Sequence, residues 1–206
     1  MFGYAYMGAD ICGFWGDSSV ELCAKWQALG AFYPFSRNHN SKGAIDQDPA
    51  YYPAVAHVAR TTLNIRYTFL PYLYTLFYRA HVFGETVARP VHHVYPTDER
   101  ARDIDDQFFW GPALMISPIV DEQNDRDVYI PVERMYDYYD GVAEEANATV
   151  PLGSSWDILW EGLNNYTANV TVDPSKSANK YVGLYLRPGF IIPTQDPAVT
   201  TTERFV

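Results

Sequence analysis

The pattern of the amino-acid sequence changes near residue 105, and that change limits what the chain can fold into. Before it, a short apolar run followed by helical periodicity occurs twice. After it, the helical period disappears, and short apolar runs alternate with turn residues. Two strand–helix units cannot close a parallel barrel, which takes about 250 residues. Nor can they cover both faces of a parallel sheet. A parallel strand without a neighbour leaves its backbone groups unpaired. The first half therefore reads as one part of a larger α/β assembly. The second reads as an antiparallel β-sandwich or sheet. Neither half contains an internal repeat or a low-complexity tract.

Residues 2–11 are apolar and aromatic and read as a buried strand that ends in a loop. A helix is expected over 17–30. Asp17 or Ser18 is placed to cap it, with Glu21 at capping-box distance from Ser18, and Gly30 ends it. Residues 32–49 carry Pro34, Asn38, Asn40, Gly43 and Pro49 and read as a long structured loop. The strongest helical signal runs over 53–83, where Val55, Val58, Thr62, Ile65, Phe69, Leu73, Leu76 and Phe77 mark one face. Pro71 must kink or interrupt it, and Gly84 stops it. Residues 86–94 read as a strand with a proline inside it. Further strands are expected within 108–120, 126–131, 135–139, 156–160 and 181–193.

The composition suits a folded core: of 206 residues, 48% are hydrophobic and 19% charged. The formal charge of −10, with no basic run, argues against a nucleic-acid partner and against an anionic membrane surface. No apolar stretch approaches the roughly 18 residues of a membrane helix, and MFGYAYMGAD has no features of a signal peptide. Three N-x-Thr sequons, at Asn147, Asn165 and Asn169, point to the secretory pathway. Cys12 and Cys23 fit neither a CxxC redox pair nor a zinc ribbon. They are two buried thiols or one disulfide closing a short loop, and an oxidising compartment favours the second.

The chemistry-bearing residues are few. Asp10 follows the first apolar run. Such a carboxylate either caps its own turn or lies at the C-terminal rim of an α/β sheet, where these folds bind ligands. His39 lies in the run Ser-Arg-Asn-His-Asn (36–40), whose donors and acceptors suit a hydroxyl-rich ligand. Phe14, Trp15, Phe32, Tyr33 and Phe35 bracket both clusters. Aromatics make up 16% of the chain, as core, as flat faces for sugar rings, or as both. His92 and His93, on opposite faces of the expected strand, do not chelate together. No metal constellation, P-loop, GxGxxG or GxSxG is present, so no metal or cofactor is expected.

GADICGF (8–14) and WQALGAFYPFSRNHN (26–40) resemble glycoside hydrolase family 31. Within it they resemble the maltase-glucoamylase, sucrase-isomaltase and lysosomal acid α-glucosidase group. RYTFLPYLYT (66–75), RP (89–90), WGPALMISP (110–118), YDYY (136–139) and LRPGFIIP (186–193) resemble later landmarks of that family, with Pro188 replacing a glycine. The resemblance implies an α/β plus all-β fold. Residues 1–105 would be the C-terminal part of a (β/α)8 TIM barrel, and 106–206 a proximal antiparallel β-sandwich domain. It implies a retaining α-glucosidase acting on terminal α-linked glucose of malto-oligosaccharides, in which two Asp residues do the chemistry. The family's nucleophile and acid/base motifs precede the matching segment, and neither occurs in these residues. No catalytic residue is therefore expected here. The resemblance makes Asp10 and His39 partners of glucose hydroxyls, Phe14 an aromatic wall, and Cys12 and Cys23 a disulfide beside them. It places the parent protein in an extracellular, membrane-tethered or lysosomal setting. The alternative is a non-catalytic carbohydrate-binding or relic fragment of the same family. Residues 141–180 depart from the family in length.

Overall fold

The computed structural model describes residues 3–152, 156, 159 and 180–198. Its first helix, α1, is Val20–Gly30. Ser19, rather than Asp17 or Ser18, is the cap: its Oγ accepts from Leu22 N at 3.1 Å. Asp17 instead accepts from Ile45 N at 2.9 Å and so ties down the following loop. Glu21 pairs forward with Lys25 at 3.0 Å, one helical turn on. Lys25 is buried because its Nζ also donates to the carbonyls of Asp121 and Gln123, at 3.2 and 2.8 Å.

The long periodic stretch is two helices, α2 (Pro53–Thr68) and α3 (Leu70–Phe83). Phe69 leaves helical geometry between them, and Pro71 sits in the first turn of α3, where no amide donor is needed. Gly84 ends α3 in the left-handed conformation, at φ +71°. α2 packs along α1.

The strand expected over 2–11 shrinks to β1, Asp10–Ile11, which pairs in parallel with β2, Arg37–Asn38. Tyr4, Tyr6 and Met7 are exposed. A strand extends only where a neighbour satisfies its edge, and among the described residues β2 is the neighbour of β1. The strand expected over 86–94 is β3, Ala88–Pro90, followed by a helical turn, α4, Val91–Val94. His92 and His93 therefore lie on a helical turn and not on opposite faces of a strand.

The second half is built on β4 (Phe108–Trp110), β5 (Leu114–Ser117), β6 (Arg126–Tyr129), β7 (Met135–Asp137), β8 (Ala143–Glu144), β9 (Thr149–Leu152) and β10 (Gly183–Leu186). Among the described residues, six strands form one sheet in the order β3-β4-β5-β10-β7-β8, antiparallel throughout, while β6 and β9 pair separately. The run 108–120 is thus a hairpin, turned at Gly111, whose φ is +52°. The run 181–193 is extended only over β10, and Phe190 and Ile191 are exposed. Of the strand expected over 156–160, Trp156 and Leu159 are described, and both are helical; the rest lies outside the described residues. The sheet also crosses the division expected at residue 105, because β3 pairs with β4.

Alternation along the strands gives the sheet two apolar faces. Phe109, Met115 and Tyr185 share one and pack in a cluster with Ala24, Ala28, Val55 and Val58 of the first two helices. Trp110, Leu114 and Leu184 share the other, against Phe32, Phe69, Leu73 and Leu76. The helices of the first half therefore bury surface against the sheet of the second.

Candidate functional site

The site is assembled on the short β1–β2 ladder, where the register sets Asp10 opposite Arg37 and Ile11 opposite Asn38. Arg37 Nη2 donates to Asp10 Oδ1 in an ion pair. The Asp10 side chain does not cap its own turn. The turn is closed by the backbone, with Gly13 N donating to Asp10 O at 3.0 Å. Asp10 is about four-fifths buried (22% side-chain exposure), whereas Arg37 is half exposed and lies 5.3 Å from the centre of the Phe35 ring. Asp10 Oδ2 has no hydrogen-bond partner among the described residues, so one carboxylate oxygen remains for a ligand hydroxyl.

Beyond Asp10 the chain turns sharply. Cys12 and Gly13 have φ of 73° and 90°, both in the left-handed region. That turn delivers Phe14 to the second loop, where its carbonyl accepts from Ser41 N at 3.0 Å. Its ring lies 5.5 Å from that of His39, tilted by 35°, and meets Trp15 edge-on at 4.8 Å. Trp15 is exposed. The two loops thus carry aromatic faces, an imidazole, a carboxylate and a guanidinium. That combination suits a ring with apolar faces and a hydroxyl-bearing rim.

The loops are held from behind by the expected disulfide and by residues that local sequence reasoning missed. Cys12 and Cys23 form a disulfide that ties the turn to α1. Buried Gln47 donates its Nε2 to Ile11 O (3.1 Å), Gly13 O (3.3 Å) and Asn38 Oδ1 (3.1 Å). Asn38 Nδ2 donates back to Gln47 O at 3.0 Å. Arg66 of α2 donates to the carbonyls of Ala31, Tyr33 and Pro34, at 2.7, 2.5 and 3.0 Å. Trp110 Nε1 of β4 donates to Phe32 O at 2.7 Å. The loop that leads into Arg37 and His39 is therefore anchored on the helix layer and on the sheet. Burial raises the pKa of the Tyr33 phenol, which stays a neutral wall beside the loop. Gln and Arg bonding to distant carbonyls leave no periodic or motif signal, so none of these anchors is visible without the fold.

Phe14 and His39 are brought into contact, Asp10 is tied to the strand that precedes His39, and the two cysteines are joined. Asn147 lies apart, in the turn before β9, exposed and left-handed at φ 60°. Its Oδ1 accepts from Tyr129 Oη at 3.1 Å. Asn165 and Asn169 lie outside the described residues.

Residues 1–76 match the glycosyl hydrolases family 31 TIM-barrel domain, and residues 84–192 match the glycosyl hydrolase family 31 C-terminal domain. The chain belongs to glycoside hydrolase family 31. Human intestinal sucrase-isomaltase is 47% identical over 206 residues, which cover 98% of this chain and 10% of that protein. Mouse lysosomal α-glucosidase is 40% identical over 205 residues, covering 98% of this chain and 21% of that one. A crystal structure of the glucosidase II alpha subunit, bound to Glc1Man2, superposes with a TM-score of 0.77 at 28% identity, covering 98% of this chain and 20% of that one. The chain spans a tenth to a fifth of the length of these relatives. The match to the family's barrel domain falls on the helical half, and the match to its C-terminal domain begins at residue 84, ahead of β3.

Proposed function

We propose that this segment supplies part of the glucose-binding subsite of a retaining α-glucosidase that acts on terminal α-linked glucose of malto-oligosaccharides. The observation that carries the reading is the convergence at one ladder: Asp10 with one unengaged carboxylate oxygen, and Phe14 against His39. In this reading the segment to residue 76 completes a (β/α)8 barrel, and the sheet behind it is the proximal β-sandwich. Asp10 and His39 hydrogen-bond sugar hydroxyls, and Phe14 closes the pocket against one apolar face of the ring. Charge-assisted bonds of this kind contribute about 1.5–3 kcal/mol each.

The segment binds and orients; it does not break the bond. Retaining glycosidases use one carboxylate to attack the anomeric carbon and another to protonate the leaving oxygen and then activate water. The family's motifs for both are absent from these residues. The Asp10 carboxylate is already paired with Arg37, which suits a fixed acceptor better than a nucleophile. Intestinal and lysosomal relatives, together with the Asn147 sequon on an exposed turn, support a secretory-pathway setting.

The test is made in the full-length enzyme carrying this segment with both carboxylate motifs in place. Phe14→Ala and His39→Ala should each raise KM for maltose and weaken glucose inhibition. Unchanged KM and inhibition in both variants would refute the subsite reading.

A further inference from the structure

We infer that Gln47 is a positioning residue of the sugar site: a buried amide that sets the spacing between loop 10–14 and loop 37–39. The inference rests on the reading of that site given above. Gln47 lies outside both recognisable motifs, and its side chain is directed away from solvent, with the residue only 8% exposed.

Its three acceptors are distributed in a telling way. Ile11 O adjoins Asp10, Gly13 O adjoins Phe14, and Asn38 Oδ1 belongs to the residue between Arg37 and His39. One amide thus touches the immediate neighbour of every proposed sugar contact without occupying the sugar's place. The Nε2 group has two hydrogens for three acceptors within 3.3 Å, so one hydrogen is shared. The amide cannot be reversed, because Oε1 would then face three oxygens. Asn38 is oriented in the same way: its Nδ2 donates to Gln47 O, which turns its Oδ1 toward Gln47 Nε2. The bonded carbonyls flank Cys12, whose backbone is left-handed. The disulfide holds that strained turn from the α1 side, and Gln47 holds it from the loop side. Loss of the amide would free buried carbonyls and let Asp10 and Phe14 move relative to His39.

The experiment uses the full-length enzyme carrying this segment. Gln47→Met keeps the length and removes the donors. Gln47→Glu keeps the shape and sets oxygen against oxygen. Gln47→Asn is the mildest change, an amide one methylene shorter. Affinity for 1-deoxynojirimycin, a glucose-shaped iminosugar, is measured calorimetrically and expressed per folded molecule, alongside Tm, KM and kcat. The expected result is about a tenfold weaker Kd in the folded variants, with KM moved more than kcat. A residue that only stabilises the fold would lower Tm and leave affinity per folded molecule unchanged, and that result overturns the inference. Failure of all three variants to fold also overturns it, by assigning Gln47 to the fold alone. Asp10→Ala is run in parallel. If it too binds the iminosugar like the wild type, the sugar-site reading fails. If it binds weakly while the Gln47 variants bind normally, this inference alone fails.

Discussion

Arg37 holds one oxygen of Asp10 across the β1–β2 ladder and leaves the other without a partner among the described residues. The pair orients the carboxylate, so that its second oxygen can accept from a neutral hydroxyl. Replacing Asp10 removes that acceptor and leaves a guanidinium facing the proposed subsite. Asp10→Ala in the full-length enzyme should lower kcat/KM on maltose by about tenfold or more, the equivalent of one charge-assisted bond. Steady-state kinetics decide it, and a wild-type value would remove Asp10 from the site.

The Cys12–Cys23 bridge closes a short loop that contains the left-handed turn. In the chain-entropy model such a bridge stabilises by about 2–3 kcal/mol. The double variant Cys12→Ser/Cys23→Ser should lose about that much in urea unfolding. In the native protein, neither cysteine should react with iodoacetamide until a reductant is added.

Gly8 approaches the second loop more closely than any side chain allows. A Cβ there would lie 2.0 Å from Phe35 O and 3.0 Å from Tyr33 Cβ. The clash is with backbone, which cannot rotate away, and Phe35 N already donates to Met7 O at 3.0 Å. Gly8→Ala should cost about 1–3 kcal/mol of stability and displace the loop that carries His39. A thermal melt unchanged by the substitution would show that the loops separate without penalty.

Alkaline pH should unfold the protein through its buried phenols. Burial pushes Tyr72 and Tyr181 up to about 12 from the ordinary value of 10.0. Between those limits the unfolded chain has released protons that the folded chain retains. The stability tied to these groups is therefore complete below about pH 10 and is lost as pH rises through about 12. Chemical unfolding midpoints measured from pH 9 to 12 should fall with pH, and absorbance at 295 nm should show late-titrating tyrosines.

Asn147 should carry an N-linked glycan when the protein is made in a secretory host. The residue is exposed and turned, its Oδ1 is held by Tyr129, and its Nδ2 has no partner among the described residues. Peptide mapping after glycosidase release should find the Asn-to-Asp conversion at this position. Quantitative recovery of the unmodified peptide would exclude it.

The helices were largely legible because their signals are local. Spacing placed the buried face of α2 and α3, and Pro71 together with Gly84 marked the break between them and the end of α3. Even so, the capping residue shifted by one, since Ser18 and Ser19 offer the same hydroxyl and backbone geometry chooses between them. The strand at residues 2–11 was misread because hydrophobicity reports what a residue tolerates, not whether a neighbouring strand exists. Asp10, Phe14 and His39 stood out through their motifs. Gln47 and Arg66 did not, because each bonds carbonyls far along the chain and no local pattern records that.

The pairing of Ala88–Pro90 with Phe108–Trp110 bears on how family members can be recombined. A crossover at residue 105 would divorce an edge strand from its ladder and force two unrelated sequences to agree on one register. A junction at Gly84, where α3 has ended and no strand has begun, cuts neither ladder. The natural unit of exchange thus begins in that left-handed turn, some twenty residues ahead of the point at which the sequence changes its rhythm.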